Sequence, residues 1–151
     1  MTWLIVGLGN PGPGYKNDRH NLGFMVLDEL CRRMSVPASA FKAKFGSEIA
    51  TATPLGGGER VHLQKPMEFM NVSGQAVQRA AAFFQIGPEN LIVIHDEIDL
   101  PFGKLRVKAG GGHGGHNGLR SISQALGPEY LRLRCGIGKP GGGKEQDRKS
   151  T

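Results

Sequence analysis

Five asparagines, Asn10, Asn17, Asn21, Asn71 and Asn117, fall in loops or at helix starts. An asparagine amide can donate to a developing oxyanion and accept from a leaving group without adding charge, which suits ester hydrolysis. Each also has an ordinary reading as a turn or cap residue, so none carries the case alone. Hydrolysis further needs a base, and a histidine oriented by a buried carboxylate supplies one. His20, beside Arg19 at a helix start, and Asp96, the polar end of a buried strand, are candidates for that pair. For Asp96 the alternative is a strand-end carboxylate bonded to backbone.

Other patterns carry less. Gly7-Leu8-Gly9-Asn10-Pro11-Gly12 matches G-x-G-x-x-G after a strand, but Pro11, Pro13 and Gly14 keep the chain out of the helix that must open on a pyrophosphate. No glycine loop ends in Gly-Lys-Ser/Thr, so a Walker loop is absent. His113 and His116, with His95 and Asp96 upstream, lie in a glycine loop without a third ligand in register, and no metal is expected. Ser73 lacks a nucleophile elbow and reads as the cap of a helix. Cys31 and Cys135, far apart and without metal spacing, read as reduced core thiols.

The elements that must position these residues follow from hydrophobic period. Trp3 to Leu8 is a short apolar run ended by glycine and proline, the pattern of a central strand buried on both faces. Leu22, Met25 or Val26, Leu30 and Met34 recur at helical spacing and predict a helix from about Asn21 to Met34. Phe45 to Thr53 and Arg60 to Gln64 alternate around a glycine run as a hairpin. Ala76 to Gln85 predicts a second helix closed by Gly87-Pro88, and Leu91 to Ile94 a buried strand ending at His95-Asp96-Glu97. A strand at Lys104 to Lys108 leads into the glycine loop 110 to 115, followed by a helix at Leu119 to Leu126 and a strand at Leu131 to Ile137. The order βαββαββαβ makes an α/β single domain with a central mixed, mostly parallel twisted sheet flanked by helices. Open sheets of this kind bind ligands beyond the carboxyl ends of their strands, where Asn10, His95 and Asp96 fall.

The chain has 151 residues, near the usual size of one domain, and a formal charge of +6. Residues 101 to 140 hold seven basic side chains against Glu129, so the whole excess sits there. Such a concentration is the footprint of a phosphate-rich partner, or else a solvated face kept for solubility. No apolar run is long enough to span a bilayer and no signal-peptide pattern opens the chain, which places it in the cytoplasm.

Several motifs occur together and in order: Gly7 to Gly12, Tyr15, Arg19-His20-Asn21, Lys65-Pro66-Met67, Phe69-Met70-Asn71, Ser73-Gly74, His95 to Pro101 and Gly110 to Gly118. Over Met1 to about Pro140 the sequence resembles bacterial-type peptidyl-tRNA hydrolase. The resemblance implies cleavage of the ester between a peptide and the terminal ribose of tRNA, recycling tRNA from abortive translation, without metal or cofactor. It makes His20 the base and Asp96 the carboxylate that holds it. Asn71 polarises the ester carbonyl, and Asn10 helps tell a blocked peptide nitrogen from a free amino group. Tyr15, Phe69, Met70, His116 and Asn117 match positions contacting the tRNA end or the peptide. Lys108 and Arg134 match a clamp for the tRNA's terminal phosphate, and the glycine loop a gate over the cleft. The alternative on the same scaffold is a non-catalytic RNA-binding splicing factor.

Two departures accompany the resemblance. Glu68 stands where threonine is frequent. Past Gly136 to Pro140 the family normally continues with further strand and helix, whereas residues 141 to 151 contain no large apolar side chain. The expectation is a domain over 1–140, truncated at its C-terminus, and a disordered tail over 141–151. The protein is expected to be a monomer, with self-association through apolar area that the missing elements leave exposed.

Overall fold

The computed structural model describes residues 2–9, 21–53 and 58–138. Asn10, Tyr15, Asn17, His20 and the tail 141–151 lie outside the described residues. Seven strands form one sheet: β1 (Thr2–Gly7), β2 (Lys42–Lys44), β3 (Ser47–Ala52), β4 (Arg60–Pro66), β5 (Leu91–Glu97), β6 (Leu105–Ala109) and β7 (Leu131–Gly136). Their order is β2-β3-β4-β1-β5-β7-β6. The central four, β4, β1, β5 and β7, are parallel, while β2, β3 and β6 join by antiparallel pairing at the two sides. β1 is central because its Leu4 and Val6, fully buried, and its partly buried Ile5 face cores on opposite sides of the sheet.

Among the described residues three helices cover the sheet: α1 (Leu22–Arg33) on one face, α2 (Ser73–Phe84) and α3 (Asn117–Leu126) on the other. α1 buries Gly23, Leu27 and Cys31, spaced four apart so that they form one stripe, and its last turn carries Arg32 and Arg33 where the helix dipole favours cations. Under it Leu63, Ile94 and Cys135 form one core. On the other face Leu4, Val6, Val77, Val93, Leu119 and Ile122 form the second. Both cysteines are buried and free, and burial pushes the Cys135 thiol up to about 11.

The structure corrects four sequence expectations. Ser73 does not cap α2: it is the first helical residue, fully buried, and Val72 occupies the cap without a side-chain bond. The reason is tertiary, since the orphan Gly74 amide donates to Ser121 Oγ on α3 at 2.7 Å. α2 consequently starts three residues before Ala76. The third helix starts at Asn117, and its cap is the His116 side chain rather than an asparagine. Phe45 lies in a turn instead of a strand: Phe45 and Gly46 both take positive φ, 56° and 61°, which closes the tight β2–β3 hairpin. β2 itself had no apolar pattern to announce it, being an exposed Lys-Ala-Lys edge of the kind that discourages pairing with other chains.

At the opposite edge, Leu105 and Val107 of β6 are 59% and 73% exposed. They pair with Cys135 and Leu133, so they lie on the face that α1 covers elsewhere, and no described element reaches them.

The start of α1 touches the sheet backbone directly. A Cβ on Gly23 would stand 2.2 Å from the Leu8 carbonyl oxygen and 2.6 Å from that of Ile94, and one on Gly7 2.6 Å from the Gly23 carbonyl oxygen. Within a helix, Gly to Ala normally gains up to about 1 kcal/mol. Here the sign should reverse. Gly23→Ala is expected to cost about 1–3 kcal/mol as overpacking, read as a lower denaturant midpoint, whereas Gly112→Ala, with nothing within 4 Å of its Cβ, should leave the midpoint unchanged. An unchanged midpoint for Gly23→Ala would show that α1 can lift without loss.

Candidate active site

β5 carries the polar centre. It runs three residues beyond its apolar stretch because pairing with β7 continues to Glu97 opposite Gly136, which holds His95 and Asp96 inside the sheet. Asp96 is 6% exposed, and its Oδ1 accepts a hydrogen bond from His116 Nε2 at 2.7 Å. The other ring nitrogen, Nδ1, accepts from the amides of Gly118 and Leu119 at 3.1 and 3.3 Å, so it carries no proton. His116 is therefore the neutral tautomer with its proton on Nε2, and one imidazole both caps α3 and ties the glycine loop to the buried carboxylate.

His95, 1% exposed, points to the α3 side. Its Nδ1–H donates to the Asp96 carbonyl at 2.7 Å, and its ring stands edge-on to His116 with centroids 5.1 Å apart. Burial holds its pKa down at about 4, so it is neutral at physiological pH and serves as packing.

Beyond the end of β5 lies a cavity of about 340 Å³ lined by Met70, Asp96, Ile98, Gly114, His116 and Asn117. Met70, Asp96, His116 and Asn117 of the expected site thus share one pocket. Phe69, adjacent in sequence to Met70, is 78% exposed, and Asn117 Oδ1 accepts from Arg120. Asn71 is in a short 3₁₀ turn, Met70–Val72, leading into α2. Asn21, the sequence neighbour of His20, is buried at the start of α1. A buried carboxylate, amides and an apolar wall in one pocket are suited to water-mediated acyl transfer.

A second cavity, about 300 Å³, is lined by Lys108, Arg132, Arg134, His95, His113 and Glu97 among others. Lys108 stands opposite Arg132, and Arg106 opposite Arg134, on one face of the β6–β7 ribbon. The charge count over 101 to 140 misses the acids that face this cluster: Glu97 and Asp99 also line the cavity, and Arg134 Nε donates to Glu97 Oε1 at 3.2 Å. Gly114 and Glu97 line both cavities, so the glycine loop is the wall between them. Among the described residues, no group of three or more His, Cys, Asp or Glu is placed to hold a metal. No described helix is long and apolar enough to cross a membrane.

The family model described as peptidyl-tRNA hydrolase matches residues 4–149. The chain belongs to the peptidyl-tRNA hydrolase family. It is 57% identical over 138 residues to the peptidyl-tRNA hydrolase of Rhodopseudomonas palustris strain BisA53, covering 91% of this chain and 67% of that one. It is 54% identical over 143 residues to that of Arthrobacter sp. strain FB24, covering 93% and 72%. The crystal structure of peptidyl-tRNA hydrolase from Acinetobacter baumannii superposes with a TM-score of 0.83 at 44% identity, covering 96% of this chain and 72% of the other. The α/β sheet described above is thus the sheet of this family. Two contacts in this peptidyl-tRNA hydrolase family member had no sequence signal: histidine is not a usual cap, so the His116–Asp96 bond was invisible, and the buried Arg132 read as one more surface charge.

The depressed histidines set an acid limit to stability. Burial also lowers the pKa of His62. Between the ordinary histidine pKa of about 6.5 and the folded value of about 4 for His95, the unfolded chain binds protons that the folded one does not. The contribution of His95 is therefore complete above pH 6.5 and is lost as the pH drops toward 4. His95 should contribute a loss of about 3 kcal/mol across that window, measured by denaturant titration at each pH, and His95→Gln should flatten the slope. An equally steep slope in the variant would assign the acid lability to other groups.

Proposed function

We propose that the chain hydrolyses the ester between a peptide and the terminal ribose of tRNA, with His20 as general base and Asp96 as the carboxylate that orients it. The observation that supports this most directly is the buried Asp96 carboxylate, hydrogen-bonded within a pocket at the strand ends, in a member of this family. His20 takes a proton from water as the water oxygen bonds to the ester carbonyl carbon. The negative charge of Asp96 steadies the resulting imidazolium. Asn71 donates to the carbonyl oxygen as it gains charge, the largest usual contribution in acyl transfer, and Asn10 tells a blocked peptide nitrogen from a free amino group. The bond to the ribose oxygen then breaks, that oxygen receives the proton, and free peptide and tRNA leave.

The exposed Phe69 ring, Tyr15, Met70, His116 and Asn117 engage the peptide and the tRNA end. Lys108 and Arg134 hold the terminal phosphate, where the second cavity is basic. The reaction needs no cofactor and belongs in the cytoplasm, where translation supplies its substrate. The catalytic domain is 1–140, and it acts as a monomer.

Release of peptide from peptidyl-tRNA at low enzyme concentration tests the reading. His20→Ala should abolish release while tRNA affinity stays within about fewfold, because the imidazole moves a proton and adds little binding. Asp96→Asn keeps the shape and loses the charge, so it should also be severely slowed. Full turnover in His20→Ala refutes the assignment, and tRNA binding with no release by the unaltered chain favours the splicing-factor reading.

Lys108→Ala and Arg134→Ala should instead raise KM on peptidyl-tRNA, flatten its salt dependence and leave turnover on a minimal substrate lacking the tRNA body unchanged. Slower turnover on the minimal substrate would move both residues into the catalytic pocket.

A further inference from the structure

Arg132 is a fully buried cation, 1% exposed, and among the described residues no carboxylate pairs with it. Taking a guanidinium out of water costs several kcal/mol unless its protons are well placed. Its bonds go to backbone carbonyls: Nη1 donates to Gly112, and Nη2 donates to Gly111 at 2.6 Å and to Pro128 at 3.1 Å. The guanidinium carbon also lies 4.5 Å from the centre of the Tyr130 ring. Tyr130 is itself fixed, since its hydroxyl lies 2.9 Å from Ser123 Oγ and donates to the Leu119 carbonyl on α3.

The planar fork thus ties the first half of the glycine loop to α3 and β7. Gly110 and Gly111 take φ of 68° and 101° where the chain turns into the loop, a conformation that side chains disfavour. The second half is held by His116 on Asp96. Between the two anchors stand His113, Gly114 and Gly115, and Gly114 lines both the pocket that contains Asp96 and the basic cavity.

We propose that Arg132 is a positioning residue that fixes the wall between the two cavities, and so the place of the acyl end beside Asp96, rather than a ligand for phosphate. The role rests on the hydrolase reading, but its structural half does not. Lys cannot replace the fork, because its single ammonium lacks the two separate nitrogens that reach Gly112 on one side and Gly111 and Pro128 on the other.

The experiment pairs Arg132→Met and Arg132→Lys with two readouts. In hydrogen exchange of the intact chain, the Gly110, Gly115 and His116 amides, bonded to the Tyr130 carbonyl, His113 Nδ1 and the His113 carbonyl, should exchange about tenfold faster or more in both variants, while amides of β1 and β5 keep their rates. In peptide release, kcat should fall about tenfold or more on both full peptidyl-tRNA and the minimal substrate, with KM on full tRNA little changed. Arg132→Lys should recover neither readout. Unchanged loop exchange overturns the proposal, as does faster exchange of the loop and the central strands in step, which would be general loosening. A rise in KM confined to full tRNA overturns it too, by making Arg132 part of the phosphate clamp. If the unaltered chain releases no peptide, the hydrolase reading fails and loop exchange alone decides the anchoring role.

Discussion

The hydrogen bond from His116 to Asp96 joins a buried carboxylate of the sheet to the glycine loop, and most of the site depends on it. A carboxylate at the end of a buried strand must recover in hydrogen bonds what it loses in hydration. His116 can donate to it only in the tautomer that leaves Nδ1 bare, and that tautomer is selected by the Gly118 and Leu119 amides at the start of α3. α3 is placed in turn by Gly74 of α2, where a Cβ would stand 2.1 Å from the Ser121 carbonyl oxygen. The polarity of the site is thus set by the packing of two helices on the far side of the sheet from α1.

Much of the fold was legible because two central strands, β1 and β5, are apolar on both faces and the helices carry a single stripe. β1 and β5 could be read from runs of aliphatic residues, and the β3–β4 hairpin from alternation about a glycine run. What could not be read was whatever depends on a partner distant in sequence. The start of α2 depends on Ser121, 47 positions away from Gly74. β2 is only three residues long and lysine-rich, and its turn uses Phe45 where hairpins usually place asparagine or glycine.

The site divides the same way. Asp96 was legible as the polar end of a buried strand, and Lys108 and Arg134 as part of a concentrated charge. Which histidine meets Asp96 among the described residues was not, because His116 reads as a loop residue until α3 is placed. Arg132 was counted with the surface charges because composition cannot tell a cation facing solvent from one facing carbonyls. Glu97 and Asp99 escaped the count for a simpler reason: they precede the basic stretch in sequence and face it only once β5 pairs with β7.

Alternation along β7 explains how one short strand serves both sides of the sheet. Leu133 and Cys135 turn to the α1 core, while Arg132 and Arg134 turn to the face of His95 and α3. The two arginines are neighbours on that face but have opposite surroundings: Arg134 meets Glu97 at the cavity, and Arg132 is closed over by the glycine loop. A phosphate can compete for a guanidinium that an exchangeable carboxylate holds, because both ligands are anions offering the same geometry. It cannot readily displace carbonyls that are fixed by the turn of the chain. The strand therefore separates two uses of one side chain at a spacing of two residues, one cation available to an anion and the other committed to the backbone.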